Sequence, residues 1–376
     1  MKNGWQTKTL GEVCEVMNGG TPKTGVPEYW DGKHRWITPA EMGKRLSPYV
    51  ADTERKITDL GLRNSSAQML PPHSVILSSR APIGHLVINT ETMATNQGCK
   101  GLIPGSQLQH KFLYYYLSSI VDLLNSLGTG ATFKELSGGK LKEVTLPVPP
   151  LAEQRRIVGI LDEAFEGLAT AKANAEQNLQ NARALFESHL QAVFTQRGHG
   201  WVEKPLESLG EIRTGKRDAN HQVENGPYPF YTCAFGQFKS PTFSFDGPSI
   251  ILPGNGANVG KVFFHDGRFE AYQRTYVVNE LTQSINPRFL YFCFSANWPG
   301  WIATKQFGSA TNYIVVGDLK AFPVPTPPLP VQKKTVEQLE SFTEETQRLE
   351  SLYQRKLAAL DELKKSLLHR AFSGQL

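Results

Sequence analysis

Residues 149–154 read Pro149-Pro150-Leu151-Ala152-Glu153-Gln154, and residues 327–332 read Pro327-Pro328-Leu329-Pro330-Val331-Gln332. In each case a proline pair ends what precedes it and suits the opening turn of a helix. From Leu151 to about Gln196 there is no further proline, and apolar or small residues recur at Ile157, Leu161, Ala164, Leu168, Ala171 and Ala175. The steps of 4, 3, 4, 3 and 4 are those of a coiled-coil seam. After the second motif the stripe runs Leu339, Phe342, Thr346, Leu349, Tyr353, Lys356, Leu360, Leu363 and Leu367, with Lys356 as its interruption. The pattern predicts two helices of about 45 residues, each ~65–70 Å long at 1.5 Å per residue. A long helix with one apolar face needs a partner. The nearest is the other copy, packed antiparallel; an external helix is the alternative.

The two motifs lie 178 residues apart (327 − 149), and the same order of matches extends outward from them. Trp5, Lys8 and Leu10 recur as Trp201, Lys204 and Leu206, a shift of 196 (201 − 5). At that shift Glu15-Val16-Met17-Asn18-Gly19 matches Glu211-Ile212-Arg213-Thr214-Gly215. Ala81-Pro82-Ile83-Gly84-His85 matches Ala257-Asn258-Val259-Gly260-Lys261 at 176, and Phe112-Leu113-Tyr114-Tyr115 matches Phe289-Leu290-Tyr291-Phe292 at 177. Leu190 and Phe194 match Leu368 and Phe372 at 178. A shift that drifts only through loops is an internal duplication. Each copy is a mixed globular part followed by a long helix. Ser74–Leu77, Leu86–Ile88, Ser249–Leu252 and Val262–Phe264 read as strands. Shorter helices are expected from near Lys111 and from Pro287, the latter capped by Asn286.

Composition narrows the function. The formal net charge is +5 and 40% of the 376 residues are hydrophobic. The excess sits in the globular parts: residues 1–150 carry net +4 and residues 198–328 net +1, whereas residues 151–197 carry −1 and residues 329–376 carry +1. Basic surface is what phosphate binding requires. Cys14, Cys99, Cys233 and Cys293 form no C-x-x-C pair and read as thiols in a reducing compartment. The opening residues lack the apolar core of a signal peptide, and no apolar run approaches a membrane span, so a soluble cytoplasmic protein is expected. No catalytic, metal or cofactor centre is expected. Gly254-Asn255-Gly256-Ala257-Asn258-Val259-Gly260 is glycine-rich but leads into a predicted strand, where a cofactor loop would open a helix. Asn286-Pro287-Arg288-Phe289 only faintly resembles an adenine methyltransferase motif and reads better as a helix cap, and Glu362-Leu363-Lys364 reads as a solvated helix face.

The twice-repeated Pro-Pro-Leu-x-x-Gln entry into a long helix resembles the specificity subunit of type I restriction–modification systems. So do the ending Ser366–Leu376, the pair Ala81-Pro82-Ile83-Gly84 and Thr95-Asn96-Gln97, and the pair Ala257-Asn258-Val259-Gly260 and Tyr272-Gln273-Arg274. The resemblance spans essentially the whole chain. It implies an α+β fold in which two repeated target-recognition domains, residues 1–150 and 198–328, are separated by helices at 151–197 and 329–376 that form an antiparallel coiled coil with pseudo-twofold repeat. It also implies a non-catalytic reader of double-stranded DNA. Each domain would read half of a bipartite site, with halves about one helical turn (~34 Å) apart. The helices would dock two methyltransferase subunits that bind S-adenosylmethionine and flip their target adenine, and motor–nuclease subunits would join them. The chain itself would hold no cofactor.

Base reading in the major groove calls for long polar side chains and small hydroxyls. The framework loops offer Arg80, His85, Thr95, Asn96, Gln97 and Lys100 in the first domain, and Asn255, Asn258, Lys261, Tyr272, Gln273 and Arg274 in the second. Later glycine-containing loops add Thr132, Lys134, Thr311, Asn312 and Tyr313. The alternatives are a coiled-coil scaffold without DNA and a fused restriction or modification enzyme.

Overall fold

In the computed structural model, which describes residues 4–130, 134–196, 198, 200–234, 236, 238–305 and 312–376, both motif glutamines are fully buried. Gln154 accepts a hydrogen bond from the Gln109 N–H (2.9 Å) and donates to the carbonyls of Gln107 (2.9 Å) and Pro149 (2.8 Å). Gln332 repeats the pattern, accepting from the Asn286 N–H (2.7 Å) and donating to Ser284 (2.9 Å) and Pro327 (2.7 Å). Gln109 and Asn286 cap the helices His110–Ser119 and Pro287–Ala303. Their side-chain oxygens accept from Phe112 N–H, and from Arg288 and Phe289 N–H, respectively. One amide therefore ties the proline turn, the start of a long helix and the cap of a globular helix together.

The long helices are Leu151–Thr195 and Leu329–Ser373, 45 residues each. The chain divides into two compact units, Met1–Asn174 with Lys356–Leu376, and Ala175–Arg355. Part of each long helix lies in each unit. In the first unit the helices run antiparallel: Arg156 bonds the Leu376 carbonyl (2.7 Å), and Lys172 pairs with Asp361 (3.0 Å). In the second, Arg183 pairs with Glu350 (2.8 Å) and the Phe186 ring stacks on Phe342. The first seam is as expected, with Ile157, Leu161 and Ala175 buried and Ala164, Leu168 and Ala171 half-buried. The second departs from its predicted stripe after Tyr353. Leu357, not Lys356, takes the half-buried place, and Leu363 is 47% exposed while Leu368 and Ala371 are buried. A straight helix has 3.6 residues per turn, so a strict seven-residue pattern drifts by ~20° per heptad, and the seam moves one residue on.

Each unit has the same sheets in the same order. In the first, Cys14–Asn18, Cys99–Pro104, Val75–Ser79 and Ile83–Asn89 are successive neighbours, with Tyr49–Val50 added at the edge. In the second the order is Glu211–Thr214, Thr275–Asn279, Ser249–Pro253 and Phe263–His265. A three-stranded sheet follows suit: Arg55–Ile57, Trp30–Ile37, Met93–Thr95 against Phe238–Ser240, Tyr228–Tyr231, Glu270–Ala271. Registers agree as well. Gln6 faces Val148 as Val202 faces Thr326, and Trp36 faces Ala94 as Phe230 faces Glu270.

The cores join these sheets to the helices. Leu10, Phe112, Leu113 and Leu117 pack with Ile157, Leu161, Leu368 and Ala371; Phe289, Phe292 and Cys293 pack with Leu190, Phe194, Val336 and Leu339. Each fully buried Leu, Ile or Phe among them contributes about 1.5–3 kcal/mol. All four cysteines are free; three are buried and Cys233 is half-buried, and burial pushes the thiols of Cys14 and Cys99 up to about 12.

Truncating Gln332 to Ala should leave the Asn286 N–H and the Ser284 and Pro327 carbonyls without this partner, open a void where a fully buried side chain stood, and cost roughly 2–4 kcal/mol. Denaturant unfolding followed by fluorescence tests this. A Gln332→Ala chain as stable as the native one would contradict the proposed joint.

Candidate nucleic-acid interface

Two glycines set the geometry of the candidate loops. Gly19 and Gly215 directly follow equivalent strands, and a Cβ on Gly19 would overlap the Asn96 carbonyl, as one on Gly215 would overlap those of Ala271 and Tyr272. The close approach is held by main-chain bonds. Gly19 N–H donates to Cys99 (3.2 Å) and Gly215 N–H to Thr275 (3.1 Å). Each loop closes on itself, Cys99 N–H to Asn96 and Thr275 N–H to Tyr272. The structure therefore sets Asn96-Gln97-Gly98 against Tyr272-Gln273-Arg274. The sequence had suggested Thr95-Asn96-Gln97, one residue out of step.

In the second unit three separate segments converge on this turn. Gly254 N–H donates to the Arg274 carbonyl (2.9 Å), Gly256 N–H to Asn312 (2.8 Å), and Ile314 N–H to Gly254 (2.8 Å), with Asn255 bridged to Tyr313. Asn258 Nδ2 donates to the Cys233 carbonyl (2.8 Å), and the Cys233 thiol reaches the Arg274 carbonyl (3.3 Å). Asn255, Asn258, Tyr272, Gln273, Arg274, Asn312 and Tyr313 thus share one loop cluster. Lys261 follows directly on the Asn258 turn through its N–H bond to the Asn258 carbonyl (3.1 Å). Lys261, Gln273, Arg274, Asn312 and Tyr313 are exposed; Asn255, Asn258 and Tyr272 are half-buried. Among the described residues the Arg274 side chain has no ion-pair partner. The glycine-rich segment leads into the strand Phe263–His265, and Asn286 does cap its helix.

The first unit gathers the corresponding set. Ser79 N–H donates to the Gly98 carbonyl (2.7 Å), and Leu136 N–H to Ser79 (2.9 Å). Arg80 is bridged to Glu135 as Asn255 is to Tyr313. Here the charges are internally compensated: Glu135 lies 3.6 Å from Arg80 and 3.8 Å from Lys100. Gln97 and Lys134 are exposed, Asn96 and Arg80 half-buried, and Thr95 and Lys100 buried. Gln97 also bonds the Thr21 hydroxyl. His85 stands apart from the turn: it lies where a side chain on Gly43 would sit, with its N–H on Ser78 Oγ (2.8 Å). Thr132 and Thr311 lie outside the described residues.

Sequence reasoning passed over Glu135, Glu270 and Arg217, which sit beside these loops. The only signal for them was adjacency, Glu135 to Lys134 and Glu270 to the framework turn. Among the described residues no group of three or more His, Cys, Asp or Glu is placed to hold a metal, and no helix is long and apolar enough to cross a membrane.

The chain as a whole has known counterparts. A family model described as the type I restriction modification DNA specificity domain matches the chain twice, over residues 2–180 and 198–357. The specificity subunit of the type I restriction enzyme MjaIX from Methanocaldococcus jannaschii is 25% identical over 411 residues, covering 99% of this chain and 93% of that protein. The EcoR124I/EcoR124II specificity subunit from Escherichia coli is 33% identical over 163 residues, 42% of this chain and 40% of that one. Two solved structures share the fold. One, from a study of complex assembly and conformational transition of the type I R-M system, has a TM-score of 0.82 at 19% identity, covering 100% of this chain and 99% of its own. The HsdS subunit from Thermoanaerobacter tengcongensis has a TM-score of 0.63 at 18% identity, covering 100% and 98%.

Gly215→Ala should push the Tyr272–Arg274 turn off the strand end and impair whatever the second unit binds, while leaving the first unit's binding intact. DNA binding by the native and substituted chains, read separately for each unit's target, is the check; an unaltered second-unit interaction would show that the close approach has no role there.

Proposed function

Because the chain belongs to the type I restriction–modification DNA specificity family and carries two copies of its domain, we propose that its two units each read one half of a bipartite duplex target. The observation that carries this reading is the pair of loop clusters: the same main-chain register in both copies, with different side chains at equivalent places. Arg80 stands where the second copy has Asn255, Gly98 where it has Arg274, and Glu135 where it has Tyr313. A shared scaffold with divergent polar side chains suits two readers of unlike sequences.

The exposed members, Gln97 and Lys134 in the first unit and Lys261, Gln273, Arg274, Asn312 and Tyr313 in the second, are the residues assigned to bases and phosphates. Buried Thr95 and Lys100 shape the first turn. Residues 1–150 and 198–328 act as the recognition domains, and 151–197 and 329–376 as the helical spacers. The spacers dock two methyltransferase subunits, to which catalysis and S-adenosylmethionine belong, and motor–nuclease subunits complete a cytoplasmic assembly. The chain itself acts by positioning DNA.

Selection from a random duplex pool by the chain co-produced with its methyltransferase subunit tests the reading. Two short unlike halves at a fixed unspecified spacing are expected, with affinity that falls as salt rises because phosphate contacts release counterions. Arg274→Ala should relax one half and leave the other unchanged. No enriched motif at low as well as moderate salt would favour a scaffold without DNA; full selectivity at both halves in Arg274→Ala would remove that residue from the interface.

A further inference from the structure

Beside the second reading turn lies a charged pair that the first copy lacks. Glu270 is 0% exposed, at the end of the strand that runs into Tyr272. A buried carboxylate is costly unless its oxygens are bonded. Here Oε2 accepts from Ser244 Oγ (2.9 Å) and Thr242 Oγ1 (3.4 Å), and Oε1 from the Ala271 N–H (3.0 Å). The remaining partner is Arg217, whose Nε lies 3.3 Å from Oε2 and whose Nη2 lies 3.4 Å from Thr242 Oγ1. The main chain of Arg217 is fixed as well: its carbonyl accepts from the Gln273 N–H (2.9 Å), and it bridges Tyr272. Yet 42% of its side chain is exposed.

At the equivalent positions the first copy has Thr21, bonded to Gln97, and Ala94, facing Trp36 as Glu270 faces Phe230. The pair is therefore an addition that the shared fold does not need, placed against Tyr272 and Gln273. A cation that only neutralises phosphate needs no orientation. An arginine held at Nε by a buried carboxylate has one end of its guanidinium aimed and ordered, which is what bidentate recognition of a base edge demands.

We propose that Arg217 reads a guanine of the second half-site through the Nη1–Nη2 edge of its guanidinium, with Glu270 as the positioning residue. This rests on the DNA-reading function proposed above. Guanine is the base whose major-groove edge, N7 and O6, offers two acceptors to a donor fork.

The test applies the random duplex pool to the chain assembled with its methyltransferase subunit, in native, Arg217→Lys, Arg217→Ala and Glu270→Gln forms. The native chain should enrich guanine at one position of the second half-site. Both Arg217 substitutions should lower that preference about tenfold or more while the remaining positions stay specified. Glu270→Gln should relax the same position to a smaller degree, and the first half-site should be unchanged throughout. Replacing that guanine by 7-deazaguanine should weaken native binding and leave Arg217→Ala binding unaffected. Arg217→Lys keeps a cation against Glu270, so it reports even where Arg217→Ala fails to fold. A motif unchanged in Arg217→Lys, or a loss of affinity uniform across sequences, would overturn the proposal while leaving the bipartite reading in place. A native chain that enriches no motif would overturn both.

Discussion

The rest of the structure depends on one buried side-chain amide, used twice. A carboxamide has one acceptor oxygen and two N–H donors, and the fully buried Gln154 and Gln332 each employ all three on main-chain groups. A carboxylate of the same length would lose the donors, and a hydrocarbon would lose everything. The amide closes the Pro-Pro turn and holds the capped globular helix to the first turn of the long helix. Within each unit the candidate loops are thereby tied, through Phe112 or Phe289 and the sheet packed on it, to one end of a long helix.

This arrangement separates what holds the fold from what varies. The strand order, the registers and the glycine approach at Gly19 and Gly215 are shared by the copies and made of main chain and core. The side chains at the equivalent loop positions are not shared: Arg80 and Asn255, Gly98 and Arg274, Thr21 and Arg217, Glu135 and Tyr313. Of these residues only Gly98 is buried, where a Cβ would meet Arg80, Asn96 and Pro39 at 3.2 Å; the others are half-buried or exposed and lie outside the apolar cores. Where a change does introduce a buried charge, as at Glu270, local hydroxyls and an arginine satisfy it.

Much of this was legible in the sequence because its signals were long or repeated. Two 45-residue helices and a duplication of motif order survive many local exceptions. The coiled-coil seam was legible until Tyr353, where the 3.6-residue turn carried it to Leu357 in place of Lys356. The turn pairing was misjudged by one residue, since only the bonds from Gly19 and Gly215 fix it. The three-stranded sheets, built of strands mostly two to four residues long with an irregularity between Trp30 and His34, are too short to show a period. The site suffered most. Arg217 and Glu270 are 53 residues apart, and Arg80 and Glu135 are 55 apart (135 − 80); only the folded chain brings them together.

The central claim, that one scaffold carries two interchangeable readers, is met most directly by a duplication. Residues 1–150 and 198–328 both end on the proline pair that opens a long helix, so the first can replace the second at matching joints. The chimera, assembled with its methyltransferase subunit, is then offered the random duplex pool. The account predicts a motif in which the native first half-site occurs twice. A folded chimera that still selects the native second half-site, or that selects no motif, would contradict it.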